Sequence, residues 1–278
     1  MKYTKKNSRN SAVQFEFSSF FTRVWSGWKY ELAGLVLFAF AWAVVTQFVF
    51  TRPGLYHFRG FLPGPTLAAL ADAFQNSKFW VSVFASLRRI VVGISISAFI
   101  GLPLGVLIGF FTRIRKLTYS PIQFVRMISP LSWMPIALLL FASFESAVHF
   151  LIVMATICPI ILNTAIGIMS INPQWLKMAL NQGANNVQLI QTIVLPYSIP
   201  HMITSIRLAL GIAWIVLVPA EFLGVSSGLG YLINDARDTM EYDKLMAVII
   251  AIGILGFILD RVFQKLQHRF SWSWAGDV

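Results

Sequence analysis

Long apolar runs, separated by short polar and often basic segments, dominate the chain. Six of them approach the roughly 20 residues a helix needs to cross a hydrocarbon core. They fall at residues 32–50, 90–111, 124–142, 149–169, 203–223 and 245–262. Pro103 lies in the second, Pro130 and Pro135 in the third, and Pro159 in the fourth. Proline removes a backbone donor and is tolerated at membrane depth where neighbouring helices or water re-satisfy the freed carbonyls. The third and fourth helices are therefore expected to bend and to pack inside an all-α, polytopic membrane bundle.

Two segments break this rhythm. The stretch 51–80 opens with Pro53-Gly54 and Leu62-Pro63-Gly64-Pro65-Thr66, after which Thr66 can cap a helix carrying Leu67, Leu70, Ala71 and Phe74. The stretch 172–200 begins with Asn172-Pro173, a good N-cap followed by a good first helical residue. A short helix is expected to about Gln182, stopping where Gly183 takes a left-handed turn. A second is expected after it, ending near Pro196. Leu176, Ala179 and Leu180 form one apolar stripe, and Val187, Ile190 and Ile193 another. Two amphipathic helices at an angle leave apolar surface that needs a partner.

Composition agrees with a lipid solvent. Hydrophobic residues make up 57% of the chain and charged residues 12%, against roughly 25% charged in a soluble domain. The mean hydropathy is +0.70. The net charge of +11 does not mark a nucleic-acid binder, because its Lys and Arg sit between apolar runs and at the two ends. With both termini in the cytoplasm, 15 of the 22 basic residues fall on the inner side. That bias favours a multi-pass membrane protein with both termini inside. Residues 1–30 read as a basic, aromatic segment on the cytoplasmic face, 31–265 as the membrane bundle with the inner loop 172–200, and 266–278 as a cytoplasmic tail.

Chemistry is sparse. Cys158, the single cysteine, cannot form an internal disulfide, and His57, His149, His201 and His268 are scattered. Neither a catalytic nor a metal-ligand spacing occurs, and no P-loop is present to hold ATP phosphates. Gly93, Gly101, Gly105 and Gly109 let another helix approach closely. Candidate pathway or gate residues are Arg126, Ser129, Trp133, Asn163, Thr164, Arg207, Trp214 and Glu221. For each a structural role stays open: snorkelling for Arg126 and Arg207, helix-to-helix hydrogen bonds for Asn163 and Thr164, packing for the tryptophans, and a salt bridge for Glu221.

Several segments together carry a family resemblance. Gly183, nine residues, then Ile193-Val194-Leu195-Pro196 is similar to the EAA loop of bacterial ABC-importer permeases, with Ala179 and Gly183 on the motif's second alanine and its glycine. Lys177 and Met178 stand where the motif has glutamate and its first alanine. Leu62-Pro63-Gly64-Pro65-Thr66, Ser86-Leu87-Arg88-Arg89, Arg126 with Pro130, Trp133 and Pro135, Arg207 through Trp214, Glu221, and Ser227-Gly228-Leu229-Gly230 resemble the nitrate, sulfonate, taurine and bicarbonate branch. Leu140-Phe141-Ala142 replaces the branch's usual Trp-Phe-Gly, with Glu145 kept.

The resemblance implies a type I ABC-importer permease fold. Its coupling loop (Leu176, Lys177, Met178, Ala179, Leu180, Gly183, Ala184, Val187, Ile190, Ile193, Leu195 and Pro196) would seat in cytoplasmic ATPase subunits, which hold ATP and Mg and do the hydrolysis. It also implies a second copy completing the pore and a periplasmic or lipid-anchored solute-binding protein. The cargo would be a small anion: nitrate or nitrite first, with bicarbonate, cyanate, taurine and other alkanesulfonates open. This chain itself would bind no cofactor and catalyse no reaction. The rival, an ion-gradient-driven secondary transporter, calls for midspan carboxylates and inverted repeats, and the sequence shows neither.

Overall fold

A computed structural model describes residues 30, 33–50, 52, 54–222 and 224–275, with side chains through 267. The expected N-terminal segment, residues 1–29, lies outside them, as does the end of the tail. Among the described residues the regular structure is entirely helical. Five helices are long and apolar enough to cross a membrane, or six if one sharply bent pair counts as a single span.

The chain divides into two units, residues 1–67 and 68–278. In the first, α1 (Ala33–Phe50) is an apolar helix whose Leu37, Phe38, Phe40 and Phe48 are exposed. A single turn at Tyr56–Phe61 follows, with the rings of Phe58 and Phe61 stacked 6.2 Å apart. Helix α2 spans Pro63–Gln75, so Thr66 sits inside its first turn and does not cap it. The Thr66 hydroxyl donates back to the Gly60 carbonyl at 3.0 Å.

The second unit is built around two parallel helices, α3 (Ser77–Phe110) and α6 (Phe144–Met169). Their seam is the glycine stripe. A Cβ on Gly93, Gly101, Gly105 or Gly109 would come within 2.5–2.9 Å of Ile152, Ile160, Thr164 and Ile168 respectively. Ser97 falls in the same stripe, and its hydroxyl meets that of Thr156, 59 residues later, at 2.6 Å. Every pair keeps that offset, so the two backbones run in register at a distance only small residues permit. Helix α9 (Leu195–Glu221) packs antiparallel on α6, and α11 (Tyr242–Ala275) returns along α9.

Several boundaries differ from the expected ones. Helix α3 begins at Ser77, not near residue 90, so Lys78, Arg88 and Arg89 are helical and not part of an outer loop. The third span is no single rod: α4 (Thr112–Met127) and the pair formed by the turn Pro130–Trp133 and α5 (Met134–Leu140) meet at 87°. Ile128 and Ser129 are extended (ψ 126° and 131°), the conformation favoured ahead of a proline. Helix α11 continues through the expected tail as far as Ala275.

Nor does the second half of the inner loop stop at Pro196. Between α7 (Pro173–Asn181) and α9 lie α8 (Asn186–Leu189) and a π-turn at Ile190–Val194 that runs straight into α9. The wider turn sends the Leu195 N–H to the Ile190 carbonyl. It also opens the ladder where the Pro196 ring would otherwise clash with the preceding turn. The helix therefore passes through its proline.

Candidate functional site

Three features stand out, and the first is a cavity beside α4. At about 100° per residue, α4 places Leu117, Phe124 and Met127 towards one side, and they are 77%, 72% and 78% exposed. Arg115, Thr118, Gln123 and Arg126, together with Tyr119, Ile122 and Val125, line a cavity of about 740 Å³ between α4, α6 and α9. Ile108, Cys158, Leu162, Asn163, Leu208 and Ile212 are among the other residues of its wall. Arg115 and Arg126 line this cavity, and no carboxylate does. The Gln123 Oε1 is buried without a hydrogen-bond partner, while the Asn163 amide donates to the Pro159 carbonyl at 2.9 Å.

The second feature is a buried ionic cluster at the opposite end of α9. Arg89 and Glu221 are 2% and 1% exposed. The Arg89 Nη1 donates to Glu221 Oε1 at 2.7 Å and to the Ser227 carbonyl at 2.7 Å. Its Nε and Nη2 hold Glu145 Oε2 at 3.0 and 2.7 Å, and Arg88 takes the other Glu145 oxygen at 2.7 Å. Glu221 also accepts from the Ser86 hydroxyl and the Gly230 N–H, each at 2.7 Å, and the Leu229 N–H donates to Ser86 at 2.8 Å. Two cations and two anions balance, and every carboxylate oxygen is bonded. The network ties α3, α6 and α9 to the start of α10 (Leu229–Asp238). Gly228, at φ +129°, is required there: a Cβ would lie 2.5 Å from Glu221 Oε1 and 2.6 Å from Arg89 Nη1.

The third is the elbow between α7 and α8. Asn172 caps α7 by accepting from the Gln174 N–H at 2.9 Å. The helix closes on Gly183 at φ +86°. The Gly183 N–H bonds the Leu180 carbonyl and the Ala184 N–H the Ala179 carbonyl, the two bonds of a Schellman stop. Asn185 and Gln188 then form a reciprocal capping box at 2.9 and 2.8 Å. A stop and a start thus abut with only Ala184 between them. On one side Leu176, Ile190 and Ile193 pack against the cluster that holds buried Val194, and Leu189 is buried as well. On the other, Trp175, Met178, Leu180 and Val187 are exposed, as is Lys177.

The candidate residues do not converge on one place. Arg126 and Asn163 share the cavity. Ser129 precedes the turn that begins at Pro130 and accepts the Ser132 N–H on its backbone carbonyl at 2.9 Å, with no side-chain cap, and Trp133 packs against the main core. Thr164 is buried with its hydroxyl 3.5 Å from that of Ser205. Trp214 lies against Gly256. Arg207 grips Asp260 with Nε and Nη2 at 3.1 and 3.0 Å, and Gln267 at 3.2 Å. Glu221 belongs to the ionic cluster. Sequence reasoning missed Arg89 and did not connect it with Glu145 and Glu221. One signal was available: those two are the sole acidic residues between Asp72 and Asp235, so an arginine inside α3 had few possible partners.

A membrane helix bundle with a cavity lined by two arginines, a buried Arg89–Glu221 pair and an amphipathic elbow with exposed apolar groups fits a permease subunit, the part of a transporter that spans the bilayer. Residues 101–272 match the family described as the binding-protein-dependent transport system inner membrane component, and the chain belongs to that family. Its branch is that of the nitrate, sulfonate, taurine and bicarbonate ABC permeases. The bicarbonate transport system permease protein CmpB of Synechococcus elongatus is 31% identical over 85% of this chain and 87% of its own length. The nitrate import permease protein NrtB of a Synechocystis strain is 32% identical over 67% and 68%. Among solved structures, the inward-facing MetNI methionine ABC transporter superposes with a TM-score of 0.58 at 17% identity, covering 68% of this chain and 94% of that one. That likeness gives the fold, a type I ABC-importer permease. The family is the membrane component of such transporters and not their catalytic subunit.

Proposed function

We propose that this chain is the membrane subunit of an ATP-driven, binding-protein-dependent importer for a small anion, with nitrate or nitrite leading and bicarbonate, cyanate and alkanesulfonates such as taurine as the other candidates. Two copies face each other to complete the pathway. Both termini and the elbow lie in the cytoplasm of a bacterial inner membrane, and the ionic-cluster end faces the solute-binding protein. ATP and Mg act on separate ATPase subunits seated on the elbow. The anion class is supported by the bicarbonate and nitrate permeases among its relatives.

The observation that carries this reading is the elbow itself. It is held rigidly by its caps, anchored to the bundle by Leu189 and Val194, and open through Trp175, Met178, Leu180 and Val187. Apolar groups so presented on a stiff lever suit a partner's cleft. The test is uptake by the full complex in proteoliposomes. Gly183→Pro and Leu180→Glu are expected to abolish import while membrane insertion and expression stay at the wild-type level. Import unchanged in both variants, or import that outlasts ATP depletion and collapses with an ion gradient, overturns the reading.

A further inference from the structure

Resting on that reading, we propose that the cavity beneath α4 is an anion-binding vestibule in which Arg126 recognises the cargo, with Arg115 drawing anions in from the elbow end. The argument starts from charge. Two guanidinium groups line one cavity without a lining carboxylate. Three other bundle arginines have carboxylate partners: Arg88 and Arg89 pair with Glu145 and Glu221, and Arg207 with Asp260. Arg115 has only the Thr112 hydroxyl at 3.4 Å. A cavity walled by low-dielectric side chains and holding net positive charge concentrates anions and repels cations.

Placement argues the same way. A snorkelling arginine stands on the lipid face of its helix, with its stem along the chains and its head at the interface. Arg126 stands on the side opposite Leu117, Phe124 and Met127, where it is itself exposed and lines the cavity. The volume is far larger than one small ion, so the cavity is a vestibule and not a tight cage. Its chemistry suits a monovalent oxyanion, nitrate-, bicarbonate- or sulfonate-like, whose two oxygens accept the parallel N–H pair of a guanidinium.

The experiment has two arms on the reconstituted full transporter. In the first, Asn163→Cys is made in a Cys158→Ala background, and the introduced thiol is modified by sulfonatoethyl and trimethylammonium-ethyl methanethiosulfonate. Rates are normalised to those with free mercaptoethanol. The anionic reagent is expected to be favoured by about tenfold, as a nearby unit charge in a poorly screened site implies, and Arg126→Gln is expected to remove the preference. In the second, uptake of labelled nitrate, bicarbonate and taurine is measured for wild type, Arg126→Lys and Arg126→Gln. Uptake of the transported anion is expected to fall at least tenfold in the glutamine variant and to persist in the lysine variant. Equal normalised rates for the two reagents, a thiol inert to both, or wild-type uptake by Arg126→Gln overturns the inference. A wild type that imports none of the three yet keeps the reagent preference sinks the proposed cargo and supports the vestibule.

Discussion

Replacing Glu221 by glutamine isolates what the ionic cluster contributes. The side chain keeps its shape, so no cavity opens, but its three short bonds cannot all survive. As a carboxylate, Glu221 accepts from Ser86, Arg89 and the Gly230 N–H, each at 2.7 Å. A glutamine offers one oxygen to those donors and sets an NH₂ against at least one of them. Arg89, 2% exposed, would then keep only Glu145 as its counter-ion. Removing one partner from a buried pair costs about 3–5 kcal/mol. The surviving Glu145 contact puts this case at the low end, about 3 kcal/mol. For a domain of about 200 residues, that corresponds to a fall in melting temperature of about 6–12 °C.

The assay is a thermal melt of the purified protein in nanodiscs, followed through a double-mutant cycle with Arg89→Gln. Removing both charges leaves no lone buried charge between the two positions, so the pair is expected to cost less than the sum of the singles by about 1–3 kcal/mol. Strict additivity, or a Glu221→Gln melt within 1 °C of wild type, refutes the claim that these groups are coupled and sealed.

Two further perturbations probe the frame. Gly105→Ala is expected to cost about 1–3 kcal/mol through overpacking, because the new Cβ would lie 2.7 Å from Thr164 Cβ and 2.9 Å from the Ile161 carbonyl. Gly253→Ala, with nothing within 4 Å, is expected to be neutral or to stabilise α11 by up to about 1 kcal/mol; parallel melts compare the two. Asp260→Asn removes an open ion pair from Arg207, a partner whose own side chain is exposed by more than a quarter, and is expected to cost no more than about 1 kcal/mol with uptake unchanged. A large uptake loss without a shift in melting would instead return Arg207 to the pathway.

What the sequence could show follows the range of each signal. The elbow was legible because its determinants are neighbours: Asn172 before Pro173, Gly183 with its positive φ, and hydrogen-bond partners a few residues apart. The apolar helices were legible because lipid demands length and hydropathy alone. The start of α3 was not. Arg88 and Arg89 read as loop residues because a charge at membrane depth is expensive. What makes them affordable lies 56 and 132 residues further along the chain. The glycine stripe announced a close neighbour, and only the structure shows that α6 is that neighbour, in parallel and in constant register. Pro196 carried a local stop signal, which the π-turn before it overrides.

Helix α4 separates a limit of the sequence from a choice of frame. A window opened at residue 124, where the apolar run begins, makes Arg126 a boundary residue whose natural behaviour is to snorkel. A window opened at Thr112 places Arg115, Thr118, Gln123 and Arg126 on one side and Leu117, Phe124 and Met127 on the other, an amphipathic helix of one register. The pattern is therefore present in the chain, but its polarity is not. An identical stripe on a soluble protein would face outward, and the structure shows Leu117, Phe124 and Met127 exposed while Arg115 and Arg126 line the cavity together with Ile122 and Val125. Once that direction is set, the electrostatics follow from composition. Between Asp72 and Asp235 the acidic residues are Glu145 and Glu221, and both are already bound to Arg88 and Arg89. Arg115 and Arg126 therefore line their cavity with no carboxylate in its wall, and that charge imbalance is what the proposed anion vestibule rests on.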